Sequence, residues 1–121
     1  VTGFGLLGHA REVAIASDVS LRIDSSQIEF LPGAREAAQE GHLAGGLKAN
    51  REFLQSCVQF AADVTADQQN LLYDPQTSGG FLVAMDAGRV TFAQQALARK
   101  RHRGVVIGEV LPKGSPLIAV S

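Results

Sequence analysis

The chain has 121 residues, 45% of them hydrophobic, and its eleven Lys and Arg against twelve Asp and Glu leave a formal charge of -1. That length suits one globular core burying roughly two-thirds of the unfolded chain's surface, and the near-zero charge excludes a basic field that would draw nucleic acid or an anionic membrane surface. Cys57 is the only cysteine, so an intrachain disulfide is excluded, and no apolar run approaches the roughly 20 residues of a membrane span.

The thiol of Cys57, set beside Val58, Phe60 and Ala61, is expected to be buried. A reducing, cytoplasmic location fits a chain of this kind. The sequence starts without methionine, inside a glycine-rich motif, so a piece of a longer chain is expected.

Leu6, Ala10, Val13 and Ala14 recur at helical spacing opposite Arg11 and Glu12, which predicts a helix from Phe4 to Ser17. Val19, Leu21 and Ile23 then alternate with Ser20, Arg22 and Asp24, the period of a strand with one face buried. Gln27 to Leu31 is expected to add a short extended piece. Pro32 suits the first turn of a helix, with Ala34, Ala37 and Ala38 as its apolar face and Gly41 as its stop. Beyond Gly45-Gly46, Leu47 to Ser56 reads as another helix, with Leu47, Phe53 and Leu54 as its core contacts.

Val58 to Ala62 is predicted as a short strand, and Thr65 with Gln68 has the spacing of a capping box opening a helix through Leu72. Asp74-Pro75 ends that helix, because a residue before proline is pushed out of helical geometry. Phe81 to Met85 is apolar at every position, which predicts a central strand covered on both faces. Asp86 then caps a helix with an apolar stripe of Val90, Ala93, Ala96 and Leu97. Val105 to Leu111 and Leu117 to Val120 close the chain as strands around a turn at Pro112 to Pro116. This order predicts an α+β fold, a two-layer α/β sandwich whose mixed sheet carries helices on one side, in a single domain spanning residues 1–121.

No complete catalytic set is present: there is no phosphate-binding loop ending in Lys-Ser or Lys-Thr, and no Cys or His pair has metal-ligand spacing. No catalytic residue and no metal ligand is therefore assigned. His9 reads as a polar residue on a helix flank, and Arg99-Lys100-Arg101-His102-Arg103 as a solvated helix end whose cations offset the partial negative charge of free carbonyls. Gly3, Gly5 and Gly8 have the G-x-G-x-x-G spacing of a dinucleotide fingerprint, but no β-α-β alternation follows them. Thr77, Ser78, Gly79 and Gly80 admit two readings: N–H and O–H donors for an anion, or a tight connection into a buried strand.

Several segments together resemble one family. They are Val1-Thr2-Gly3-Phe4-Gly5-Leu6-Leu7-Gly8-His9, Leu31-Pro32-Gly33-Ala34, Gly45-Gly46 with Asn50, Leu71-Leu72-Tyr73-Asp74-Pro75-Gln76-Thr77-Ser78-Gly79-Gly80, and Ile107-Gly108-Glu109-Val110. In this order they resemble the C-terminal half of selenophosphate synthetase (selenide, water dikinase), within the larger group that includes aminoimidazole ribonucleotide synthetase. The resemblance implies a two-domain, usually homodimeric enzyme that uses ATP, Mg²⁺ and water to turn selenide into selenophosphate, releasing AMP and phosphate.

It further implies that the reactive Cys or selenocysteine, its lysine and most metal-holding aspartates lie in an N-terminal domain outside this chain. The family also carries a metal-binding aspartate directly before the Val-Thr-Gly-Phe-Gly run. By the same resemblance, Thr2 and Gly3 steady that aspartate, and Thr77, Ser78, Gly79 and Gly80 face the cleft between domains. Neither ATP nor Mg²⁺ is expected to bind this chain tightly, and by itself it is expected to be inactive. Where the family has threonine and arginine after its paired glycines, this chain has Leu47 and Ala49, and Tyr73 stands where cysteine is common. The competing readings are the C-terminal domain of another ATP-dependent member of the larger group, and a stand-alone binding or oligomerisation module.

Overall fold

A computed structural model describes residues 1–121. Helix α1 (Gly5–Ala16) leads into strand β1 (Val19–Ile23) and a single 3-10 turn at Ser25–Gln27. Helices α2 (Ala34–Gln39) and α3 (Leu47–Leu54) follow, then β2 (Val58–Phe60), α4 (Ala66–Tyr73), α5 (Val90–Arg99), β3 (Gly108–Pro112) and β4 (Ile118–Val120).

The four strands form one mixed sheet in the order β2-β4-β1-β3. β1 is antiparallel to β3 and parallel to β4, which is in turn parallel to β2. The register places Leu21, Ile118 and Val58 in one row and Ile23, Val120 and Phe60 in the next, so apolar side chains line a single face. α1 packs on β1 and β4 there, with α3 and α4 beside it and α2 on α4. Leu7, Ala10, Ala14, Leu54, Leu72 and Tyr73 bury against those rows, each large side chain contributing about 1.5–3 kcal/mol by leaving water. The opposite face carries Arg22, Gln59 and Glu109, all exposed, and Arg22 pairs with Glu109 across β1 and β3. The predicted α+β class, with a mixed sheet and helices on one side, is the observed one.

The capping box forms as expected at the start of α4, where the Thr65 backbone N–H donates to Gln68 Oε1 at 3.1 Å. At Gln27 to Leu31 the 3-10 turn takes Gln27, Ile28 is extended as expected at φ -86° and ψ 118°, and the Asp24 carboxylate accepts from the Ser26 N–H at 3.0 Å. Three local expectations are corrected. Phe53 is 62% exposed, so α3 turns only Leu47 and Leu54 into the core. Cys57 is half-buried, its thiol donating to Leu54 O at 3.2 Å.

The largest correction concerns Phe81 to Met85. No ladder partner lies on either side of this segment, Phe81 is 98% and Val83 62% exposed, and only Leu82 packs against the core. Residue type there specifies a strand that wants cover on both faces, but a strand exists only where a neighbour supplies its hydrogen bonds. α5 also forms where periodicity places it, yet it buries no residue.

Candidate functional site

The Val1–His9 and Leu71–Gly80 segments, far apart in sequence, are built into each other. Thr2 O accepts from the Gly5 N–H at 2.9 Å, which closes the turn into α1, and from the Gln76 N–H at 3.1 Å. The Val1 nitrogen donates to Gly80 O at 2.7 Å, and Val1 O accepts from the Gly79 N–H at 3.0 Å. From the middle of α3, Asn50 Nδ2 donates to both Gly3 O and Tyr73 O at 3.0 Å, so one amide ties both segments to a third.

Two glycines are required by this construction. At Gly5, φ is +68° and a Cβ would lie 2.8 Å from the Tyr73 carbonyl carbon and 2.9 Å from Asp74 O. At Gly79 a Cβ would stand 2.8 Å from Val1 O and would collide with the Gln76 side-chain amide. Backbone therefore lies directly on backbone where the two segments meet, which is the arrangement that excludes a side chain.

His9 belongs to the same construction. Its Nε2 accepts the Thr2 backbone N–H at 3.0 Å, which puts the proton of the neutral ring on Nδ1, and the Thr2 hydroxyl lies 3.0 Å from the same nitrogen. The Phe4 ring leans against it with centroids 5.8 Å apart. Tyr73 is buried, meeting Phe60 edge-on at 5.7 Å, while the Arg51 guanidinium lies 5.4 Å above its ring. Burial pushes the Tyr73 hydroxyl pKa up, and Arg51 opposes that shift. Asp74, between Tyr73 and Pro75, is held above its ordinary carboxyl value because it has lost water.

The site residues expected from sequence occupy one edge of this construction. Thr2 and Gly3 are exposed beside Thr77, Ser78 and Gly80, with Gly79 half-buried between them. The loop offers two hydroxyls and backbone N–H groups. Such donors suit an anion's oxygens, whereas a divalent cation needs several carboxylate or carbonyl ligands. No group of three His, Cys, Asp or Glu converges anywhere in the chain.

Other candidates lie apart from it. Arg99 closes α5, and the chain leaves the helix through Arg101 in the left-handed region at φ 61°, with the His102 N–H donating to Leu97 O at 2.9 Å. That is a helix stop in which cations sit beside free carbonyls, and Arg103 is paired with Glu29. After Gly3, Gly5 and Gly8 the chain runs through α1 and β1 into a 3-10 turn and the helices α2 and α3, so no β-α-β alternation of the dinucleotide kind follows them. Leu47, in place of a polar residue, is a core side chain. The role of Asn50 escaped the sequence reading, although an asparagine in a helix interior, where its amide usually competes with the backbone, was the available signal.

Interlocked glycine turns, a capped helix carrying the second segment and a mixed sheet beneath them place the chain in a known class. It belongs to the AIR synthase related proteins, whose C-terminal domain family matches residues 1–120. Among its relatives is the selenide, water dikinase of Clostridioides difficile (strain 630), 37% identical over a 124-residue alignment that covers 99% of this chain and 35% of that protein. That of Caldanaerobacter subterraneus subsp. tengcongensis is 38% identical over 116 residues, 93% of this chain and 33% of the relative. That of Bdellovibrio bacteriovorus is 40% identical over 113 residues, 93% and 32% respectively. The chain thus spans about a third of the length of these relatives. No helix is long and apolar enough to cross a membrane.

Proposed function

We propose that the chain is the C-terminal domain of a selenide, water dikinase, a single domain that frames an active site whose reactive groups lie upstream. The parent enzyme converts selenide, ATP and water into selenophosphate, AMP and phosphate, as a cytoplasmic homodimer. The reading is carried by one observation: the two longest segments that resemble the family are the ones that hydrogen-bond to each other through Val1, Thr2, Gln76, Gly79 and Gly80. A frame needs that rigidity, because phosphoryl transfer depends on donor and acceptor being held in line.

In this reading Thr2 and Gly3 steady the residue that precedes Val1, and Thr77, Ser78, Gly79 and Gly80 border the nucleotide's side of the cleft. Their hydroxyl and N–H donors fit phosphate oxygens. They do not fit magnesium, since the site has no converging carboxylates, and no step is assigned to the metal on this chain. ATP, when bound, supplies the phosphoryl group; these residues orient it and keep the loop from moving.

The test uses the full-length parent protein and its Thr77→Ala/Ser78→Ala double variant. The expected results are AMP formation that requires selenide and a variant with raised KM for ATP and an unchanged fold. AMP formation without selenide, or turnover of aminoimidazole precursors instead, overturns the reading. So does ATP consumption by the 121-residue chain alone.

A further inference from the structure

Phe81–Met85 belongs to no helix or turn, and none of its N–H or C=O groups takes part in a backbone hydrogen bond. An apolar strand with open edges is a template for another strand. The two hydrogen bonds at its root settle which one. The Val1 nitrogen donates to Gly80 O while Val1 O accepts from the Gly79 N–H, so two residues of one strand face one residue of the other, as in an antiparallel bulge. Thr2 O bonds the Gln76 N–H, further back along the loop. Chain numbers thus fall on one side as they rise on the other, and a residue placed before Val1 is directed alongside Phe81.

We infer that the segment immediately upstream of Val1 in the longer protein is the missing neighbour of Phe81–Met85, adding to it as an antiparallel strand. The inference rests on the proposed reading of this chain as one part of a protein about three times its length. The register follows from the bulge. The residue directly before Val1 faces Phe81, the second before it exchanges hydrogen bonds with Leu82, and the third before it faces Val83 in a non-hydrogen-bonded pair, where Cα atoms approach to about 4.5 Å. Leu82 points into the core and Val83 away from it, so alternate residues of the added strand are directed inward and outward in the same way. The pairing fastens the upstream part of the protein to the loop of Thr77–Gly80 at the point where the two proposed halves of the site meet.

Hydrogen exchange in the full-length protein tests this without any variant. The amides of Leu82 and Ala84, which face the added strand, are expected to exchange at least about tenfold more slowly than in the 121-residue chain. Cysteines at Val83 and at the third residue before Val1 are expected to form a disulfide on mild oxidation, because a non-hydrogen-bonded pair meets its distance requirement, whereas a cysteine at Ala84 in place of Val83 does not. Equal exchange in both proteins overturns the inference. So does protection in the 121-residue chain that grows with concentration, which would assign the edge to a second copy, or protection there independent of concentration, which would assign it to β3 of the same chain. These readouts are independent of selenide-dependent AMP formation, so failure of the pairing is distinguishable from failure of the functional reading.

Discussion

The side-chain amide of Asn50 bonds the carbonyl of Tyr73, the last residue of α4, at 3.0 Å, and the same nitrogen reaches Gly3 O at 3.0 Å. A single donor group on α3 thereby fixes both the entry to α1 and the exit from α4. Because a helix end leaves its last carbonyls without partners, Asn50 also acts as a cap delivered from another helix.

Asn50→Ala removes both bonds and leaves two carbonyls to find water. The expected loss is about 1–3 kcal/mol of unfolding free energy, read by urea denaturation, with faster amide exchange at Gly5 and Gln76. Asn50→Asp, of almost the same size, is expected to be no better, since a carboxylate offers these carbonyls no donor. A stability equal to that of the parent in either variant would show that the two carbonyls are satisfied without Asn50.

Gly5→Ala sets a Cβ 2.8 Å from the Tyr73 carbonyl at a φ of +68°. Strain and collision act together, and the expected cost is about 3 kcal/mol or more. By contrast Gly3→Ala, where a Cβ meets nothing within 4 Å, is expected to stay within about 1 kcal/mol of the parent. The comparison of thermal midpoints reads both, and similar losses in the two would remove close approach as the cause.

Asp74 gives the acid side of the stability profile an unusual sign. Burial raises its carboxyl above the ordinary 3.8, so the folded chain keeps a proton that the unfolded chain has lost. That contribution is complete below 3.8 and disappears as pH climbs through the raised value. Asp74→Asn is therefore expected to gain stability relative to the parent as pH rises from strongly acidic to neutral. Denaturation curves that keep a constant separation at every pH would mean the carboxyl is fully solvated. Asp67 works in the opposite sense, its carboxyl being lowered by the Thr65 hydroxyl and by Arg35 3.2 Å away.

Tyr73 is the only tyrosine, and there is no tryptophan, so near-ultraviolet absorbance follows one phenol. Its midpoint in the folded chain is expected above 10.0, for burial outweighs the nearby Arg51 charge. In Arg51→Ala the midpoint is expected to move higher still. The linked stability is present below 10.0 and is lost at higher pH, because the folded phenol holds its proton longer than the unfolded one. A midpoint at or below 10.0 in the folded chain would place the hydroxyl in water.

Periodicity located α1 and β1 because each has an apolar face that the rest of the chain covers, and it located α5 although that helix buries no residue. Leu21 and Ile23 alternate in β1, and both are buried. Thr65 and Gln68 gave the start of α4 through local chemistry alone. What sequence did not reveal depends on partners. Phe81–Met85 and Phe53 have the composition of buried residues, but burial requires a neighbour: of the segment only Leu82 packs against the core, and Phe53, with the Arg11 guanidinium 4.7 Å from its ring, stays 62% exposed. The mutual grip of Val1–His9 and Leu71–Gly80 was legible only as two conspicuous glycine patterns. Their contact runs through backbone atoms of residues more than seventy positions apart, for which no spacing rule exists.

The place of β4 governs the order in which the fold can be completed. Ile118–Val120 lies between β1 and β2, and the Ser121 N–H and carbonyl bond Ile23 O and the Ser25 N–H just beyond β1. During synthesis β1 and β2 have nothing between them until residues 118–121 leave the ribosome. The nascent helices must keep their apolar faces out of other company until then, and a chain that lacks residues 118–121 loses the middle of its sheet, not its margin.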